Sequence, residues 1–219
     1  MKSRQILKSA CLTAFVTLAT IYAASSKAQT VALDFTGGGL GQSNGRITWG
    51  WAFNIASGVT VTDLGVYDEG NNGLVNSHQV GLWDSGGTLL ATTTLASGLS
   101  GTAVPSVSGF GSFRFNNIVS LGLAPGSYVI GAAYVDVDAD LLRFNTSAPS
   151  MAPGFTFTTA RSGPGGFVFP PLTSGTNGFF GPNLRFVAAP EPGTVVSLFG
   201  TGALSGALLL RRRKVRSSN

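Results

Sequence analysis

From Val31 to Ala188 the sequence never sustains a helical period; short runs of β-branched and aromatic residues alternate instead with clusters of Gly, Asn, Asp, Ser and Pro. A chain of this kind buries its apolar side chains by stacking strands. In Arg46 to Phe53 the alternation puts Trp49, Trp51 and Phe53 on one face. Gly58 to Tyr67, His78 to Asp84, Thr88 to Leu95, Phe113 to Ile118, Ser127 to Val135, Leu141 to Phe144, Phe155 to Thr158 and Leu184 to Val187 are expected as further strands. In Ser127 to Val135 both parities are apolar or small, which predicts a strand covered on both faces. Turn signals return about every ten residues, the spacing of a sandwich or barrel. The expected fold is all-β, an antiparallel β-sandwich, with a jelly roll as one such arrangement.

Two segments of different character flank this body. Lys2, Arg4 and Lys8 precede an apolar run from Ala10 to Ala24, too short to span a bilayer comfortably, and Ser26-Lys27-Ala28 puts small residues at the two positions that signal peptidase reads. Residues 1–28 are therefore expected to be a signal peptide, cut between Ala28 and Gln29. At the other end Pro190-Glu191-Pro192 precedes the uncharged run Thr194 to Leu210, and Arg211, Arg212, Arg213 and Lys214 follow it. A helix over that run rises roughly 25 Å, enough for a short single span of the inner membrane. The basic cluster reads as a cytoplasmic stop, which leaves the body outside. The resulting division is a signal peptide, a β-sandwich at 29–189, a sorting segment at 190–214 and a cytoplasmic tail at 215–219.

The order of Pro190-Glu191-Pro192-Gly193-Thr194, a Gly/Ala/Leu-rich helix and an Arg-rich stop resembles the PEP-CTERM sorting signal of Gram-negative bacteria. The resemblance implies recognition by an exosortase, a membrane cysteine protease, and association with exopolysaccharide production. It also implies export across the inner membrane, transient anchoring there, and final residence at the cell surface or outside the cell. A second resemblance rests on Gly50-Trp51-Ala52-Phe53, Val61 to Asp68, Ser77 to Trp83 and Gly87 to Ala91, with Leu123 to Tyr128 and Phe180 to Asn183 as later pieces. These are similar to an uncharacterised domain that recurs in secreted bacterial proteins, which implies a fold and export but no reaction.

The formal charge of +5 belongs to the flanking segments. Between Gln29 and Ala189 five arginines stand against seven aspartates and one glutamate, a net of three negative charges, so the clustered cations that a nucleic-acid surface needs are missing. The single cysteine, Cys11, lies in the leader, with Lys8 where a lipidation motif would carry an aliphatic residue, so a body cut after Ala28 has no thiol chemistry.

Candidate chemistry is sparse. Gly41-Gln42-Ser43-Asn44-Gly45 has the spacing of a nucleophile elbow, but a strand rather than a helix is expected after it, so a turn is the simpler reading. His78, the one histidine, shares parity with Val80 and Leu82 and is expected at the border of a buried face, bonded to backbone. Asp68, Asn71 and Asn72 offer oxygens in one tight loop that suits Ca²⁺, although Gly70 and Gln79 exclude an EF-hand register. Asp136, Asp138 and Asp140 would face one side if the strand continued, where water or Ca²⁺ would relieve their repulsion. Apart from Ca²⁺ at these two places, no cofactor is implied.

Three functions fit this pattern: a non-catalytic surface or matrix component, a carbohydrate-binding or adhesion module that exposes Trp49, Trp51, Trp83 or Tyr67, and a hydrolase built on paired carboxylates. The first is the principal expectation, so the chain is read as no enzyme.

Overall fold

The protein is described here as a computed structural model that covers residues 28–144, 149–173 and 178–189. The strands are β1 (Thr30–Val31), β2 (Leu33–Asp34), β3 (Gly39–Gly41), β4 (Ile47–Ile55), β5 (Val59–Glu69), β6 (His78–Asp84), β7 (Leu89–Leu95) and β8 (Thr102–Pro105). They continue as β9 (Gly111–Leu123), β10 (Gly126–Tyr134), β11 (Leu142–Phe144), β12 (Ser150–Met151), β13 (Phe155–Pro164), β14 (Leu172–Thr173), β15 (Phe179–Phe180) and β16 (Pro182–Ala188). All pairs are antiparallel. Among the described residues no helix is long and apolar enough to cross a membrane.

Two sheets form the sandwich, one in the order β1-β16-β5-β9-β8 and the other β14-β13-β4-β10-β6-β7. Two- and three-stranded sheets, β12-β2 and β15-β11-β3, add to them. The core is made where alternating apolar residues of the two main sheets meet. Trp51, Phe53, Val80, Leu82 and Ile130 come from one, Leu64, Val66, Phe113, Phe115 and Leu184 from the other, and all are fully or almost fully buried. The Trp51 indole N–H crosses between them to the Pro182 carbonyl at 2.8 Å, so a polar atom in the apolar layer is satisfied.

β10 lies inside its sheet between β4 and β6 and is covered on both faces, as its sequence predicts. On the face away from the core, the return segment before β14 closes over it: Trp83 packs on Phe167 at 5.4 Å and Phe169 at 6.2 Å, and the Val168 N–H donates to Thr48 Oγ1 at 3.0 Å. Trp83 is thereby buried although it points away from the inter-sheet core.

The registers divide the sandwich into two ends. Thr30 pairs with Phe186, Ala188 with Val59 and Val59 with Leu123, while Ile55 pairs with both Gly126 and Phe155. The start of the body, the end of β16 and three turns therefore share one end, called here the tail end. Glu69 pairs with Gly111, and Ile47 with both Tyr134 and Pro164, at the other. That far end carries the loops 42–46, 70–77, 106–110 and 135–141.

Candidate functional site

Strand β6 starts at the far end, and its first side chain is His78, which is completely buried. One ring nitrogen, Nδ1, lies 2.9 Å from the Ala133 carbonyl, and Nε2 lies 2.8 Å from Asp140 Oδ2. The two carboxylate oxygens of Asp140 also accept the backbone N–H groups of Val75 and Asn76, each at 2.8 Å. A carboxylate that takes three donors is ionised, and neither it nor a carbonyl can donate back. A neutral imidazole has one N–H for two such neighbours, so His78 is held as an imidazolium.

Asp138 completes the group. Its Oδ1 accepts Asn76 Nδ2 at 2.9 Å and the Asp140 N–H at 3.0 Å, and its Oδ2 accepts the Val135 N–H at 2.9 Å. Ligand atoms of His78, Asp138 and Asp140 lie within 4.8 Å of one another, the one such triple among the described residues. The donor set is of the kind that holds a divalent cation, but every carboxylate oxygen in it already takes a hydrogen bond from the fold. The arrangement works as a clasp that ties the loops 70–77 and 135–141 together across the end of the sheet.

Burial drives the His78 pKa down, but the Asp140 hydrogen bond, the Ala133 carbonyl and the charges of Asp138 and Asp140 outweigh it and leave the value above the ordinary 6.5. Burial likewise drives Asp140 up, while the His78 bond, the Asn76 and Val75 N–H groups and the imidazolium charge hold it below the ordinary 3.8. The histidine's contribution to stability is whole below its unfolded value and is lost as the pH rises through the raised folded value; that of Asp140 is whole above its unfolded value and is lost as the pH falls through the lowered one. The stability advantage of the native chain over His78→Gln is therefore expected to be greatest between about pH 4 and 6.5 and smaller at about pH 9. Urea unfolding of both proteins at the two pH values checks this, and an equal advantage at both would mean that the ring is neutral.

Tyr134 packs against the His78 ring with centroids 4.6 Å apart, and its buried hydroxyl has no partner among the described residues. Burial first, then the Asp138 and Asp140 charges, push its pKa well above 10.

Of the three aspartates that alternation would place on one side, the structure keeps Asp138 and Asp140 together and separates Asp136. Strand β10 stops at Tyr134, and Val137 turns the chain with φ at 48°, a left-handed conformation that costs a β-branched residue about 1–2 kcal/mol. Asp136 therefore leaves the row and accepts the Gly45 N–H at 2.6 Å, whereas Asp138 and Asp140 turn inward. Asp68 is buried, with Oδ2 on Arg114 Nε at 2.6 Å and on the Gly73 N–H at 3.1 Å, while Asn71 stays exposed in the turn with φ at 57°. Asp68 is thus tied into the fold, while Asn71 and Asn72 are exposed in the turn that follows it.

Ser43 is also buried, donates to the Gly45 carbonyl at 3.0 Å and accepts the Trp49 indole N–H at 3.2 Å. It sits in the β3–β4 turn without a following helix, and both ring nitrogens of His78 are engaged elsewhere. Trp51 and Tyr67 are core residues, Trp83 is buried on the other face of its sheet under Phe167 and Phe169, and Trp49 is half-buried against Phe179 at 4.2 Å.

A wider pattern was invisible in the sequence. Each of the eight carboxylates of the body accepts a hydrogen bond from within the fold. Asp63 and Glu69 pair with Arg185 and Arg143, and Asp34 and Asp84 fix the chain at Val107 and Thr88. The acidic residues of this body serve as struts.

Among the described residues the last hydrogen-bonded position adjoins the tail: the Ala189 N–H donates to the Gly58 carbonyl at 3.2 Å, one residue before Pro190. Residues 188–214 match the PEP-CTERM protein-sorting motif. The motif marks the chain as an exported substrate of an exosortase, sorted to the surface. Pro190, Glu191 and Pro192, the apolar run and Arg211 to Lys214 all fall within the match but outside the described residues; residues 1–27 of the leader also lie outside them, while Ala28 and Gln29, which flank the expected cut, are described and exposed. The chain matches no curated protein and no solved structure.

Proposed function

We propose that this PEP-CTERM protein is a non-catalytic component of the cell surface or extracellular matrix, released from its membrane tail by an exosortase and retained in or beside exopolysaccharide. The match over residues 188–214 carries the reading, because it supplies the address and the processing step together. Burial of Asp63, Asp68, Asp138 and Asp140 and the pairing of Glu69 with Arg143 support the non-catalytic part, since a hydrolase of the paired-carboxylate type needs two carboxylates accessible to one substrate. Burial of Trp51 and Trp83 removes two of the rings that would stack on a sugar, which favours retention over a dedicated glycan site on the tryptophans.

Glu191→Ala tests the reading without disturbing the apolar run or its basic stop, the parts that determine insertion. In an exosortase-bearing host the wild-type chain is expected to lose its tail, and the variant to accumulate as a slightly larger membrane-bound form. An immunoblot of the fractions with antibody against the body reads both. Indistinguishable bands would leave the tail as a plain anchor.

A further inference from the structure

The sorting motif has no spacer. Strand β16 ends at Ala188, the match begins at the same residue, and Ala189 is still hydrogen-bonded to Gly58. Even fully extended, three residues carry the chain roughly 10 Å from Ala189 to Pro192, and five carry it about 18 Å to Thr194, where the apolar run starts. A protease that reads Pro190 to Pro192 must bring its recognition cleft within that reach of the folded body.

The surface it meets is continuous. Gly58 lies under Ala189 and beside the Leu123 carbonyl, and the Ala56 N–H donates to the Gly154 carbonyl at 2.9 Å. The turns 56–58, 124–127 and 153–154 therefore form one patch around the exit of the tail. They consist of Ala, Ser, Gly and Pro, carry no charge, and are exposed except at the half-buried Gly58. We infer that this patch is a docking surface for the external face of the membrane protease that cuts the tail, so that the folded body, and not the motif alone, is part of what the enzyme recognises. The inference rests on the processing assigned above.

Its chemistry favours a protein over lipid headgroups. The three turns offer no Lys or Arg for anionic lipid and no Trp for the interface, and the neighbouring Tyr128 turns its hydroxyl back onto the Ala124 carbonyl at 2.8 Å. A small, uncharged, closely approachable surface suits shape-complementary contact, and a carboxylate placed in it would be desolvated without a partner.

The test uses the full chain in an exosortase-bearing host, with tail removal followed by pulse-chase. Ser57→Glu combined with Ala124→Glu alters two exposed positions outside the core and is expected to slow removal about tenfold, the effect of about 1.4 kcal/mol on a rate. Inserting about twelve Gly/Ser residues between Ala189 and Pro190 frees the motif from the body and is expected to restore the wild-type rate to the double variant. An unchanged rate without the spacer, or a slow rate that persists with it, would overturn the inference. So would equal loss of membrane association by the double variant in a host lacking the protease, which would assign the patch to lipid headgroups. Glu191→Ala is run in parallel: if it is cut like the wild type, the processing assignment itself fails, whereas a block there with no effect of the double variant defeats the docking surface alone.

Discussion

Replacing Asp140 with alanine is expected to lower the unfolding free energy of the body by about 3–5 kcal/mol, because it leaves a buried cation without its counter-charge. His78 has no exposure through which water could take over, and the Val75 and Asn76 N–H groups lose their acceptor in the same step. Asp140→Asn, which keeps the shape but turns one acceptor into a donor facing an N–H or the imidazolium, is expected to lie between wild type and alanine. Urea unfolding at pH 6, below the raised His78 value and above the lowered Asp140 value, reads both variants. A loss below about 1 kcal/mol for alanine would mean that the clasp is a surface pair of ordinary worth.

Gly50→Ala is expected to cost at least about 3 kcal/mol for a different reason, the upper part of the usual range for overpacking. A Cβ on Gly50 would stand 2.0 Å from the Ile130 carbonyl oxygen and 2.8 Å from the Gly131 Cα, both backbone atoms of β10. No rotamer change relieves a clash with a neighbouring strand; β4 and β10 would have to part in the middle of the six-stranded sheet. Gly122→Ala is the matched control, since its Cβ meets nothing within 4 Å, and it is expected to shift stability by no more than about 0.5 kcal/mol. Equal urea midpoints for the two variants would show that the strands yield where their contact is closest.

The strands that were legible in the sequence are those where alternation is unbroken. The expected span of His78 to Asp84 coincides with β6, and those of β7 and β10 differ by a residue or so. Where alternation breaks, the reading falls short: β13 runs on to Pro164 past an irregularity between Phe157 and Thr159, and β9 runs on to Leu123 past one opposite Val61 and Asp63. A bulge shifts parity by one, so residues beyond it no longer continue the period of those before it. The edge strand β8 was missed because its four residues are largely exposed, which leaves little apolar pattern to detect.

The clasp illustrates a different limit. The backbone bond of His78 was readable from its parity with Val80 and Leu82, which placed the ring at the border of a buried face; the structure buries it completely. Its carboxylate partner was not, because Asp140 is 62 residues away and reaches it only once β10 has paired with β6 and ended at Tyr134. Parity assigns a side chain to a face; which strand lies beside it is a property of topology, and where a strand stops decides whether an alternating acidic row survives. The row from Asp136 to Asp140 did not: Asp136 holds the loop 42–46, whereas Asp138 and Asp140 together hold the loop 70–77. The tail was legible for the opposite reason, since its signal is an order of residue types along the chain and needs no partner from elsewhere.

The place of β16 also fixes how the body bears a pull. It lies between β1 and β5, bonded on both sides, and its C-terminal end is the attachment point of the tail. Tension between that attachment and the far-end loops runs along β16, while the ladder bonds on either side lie across it. The load is thus shared in shear by two ladders rather than opening one pair at a time, the geometry of a mechanical clamp placed where the chain leaves the fold.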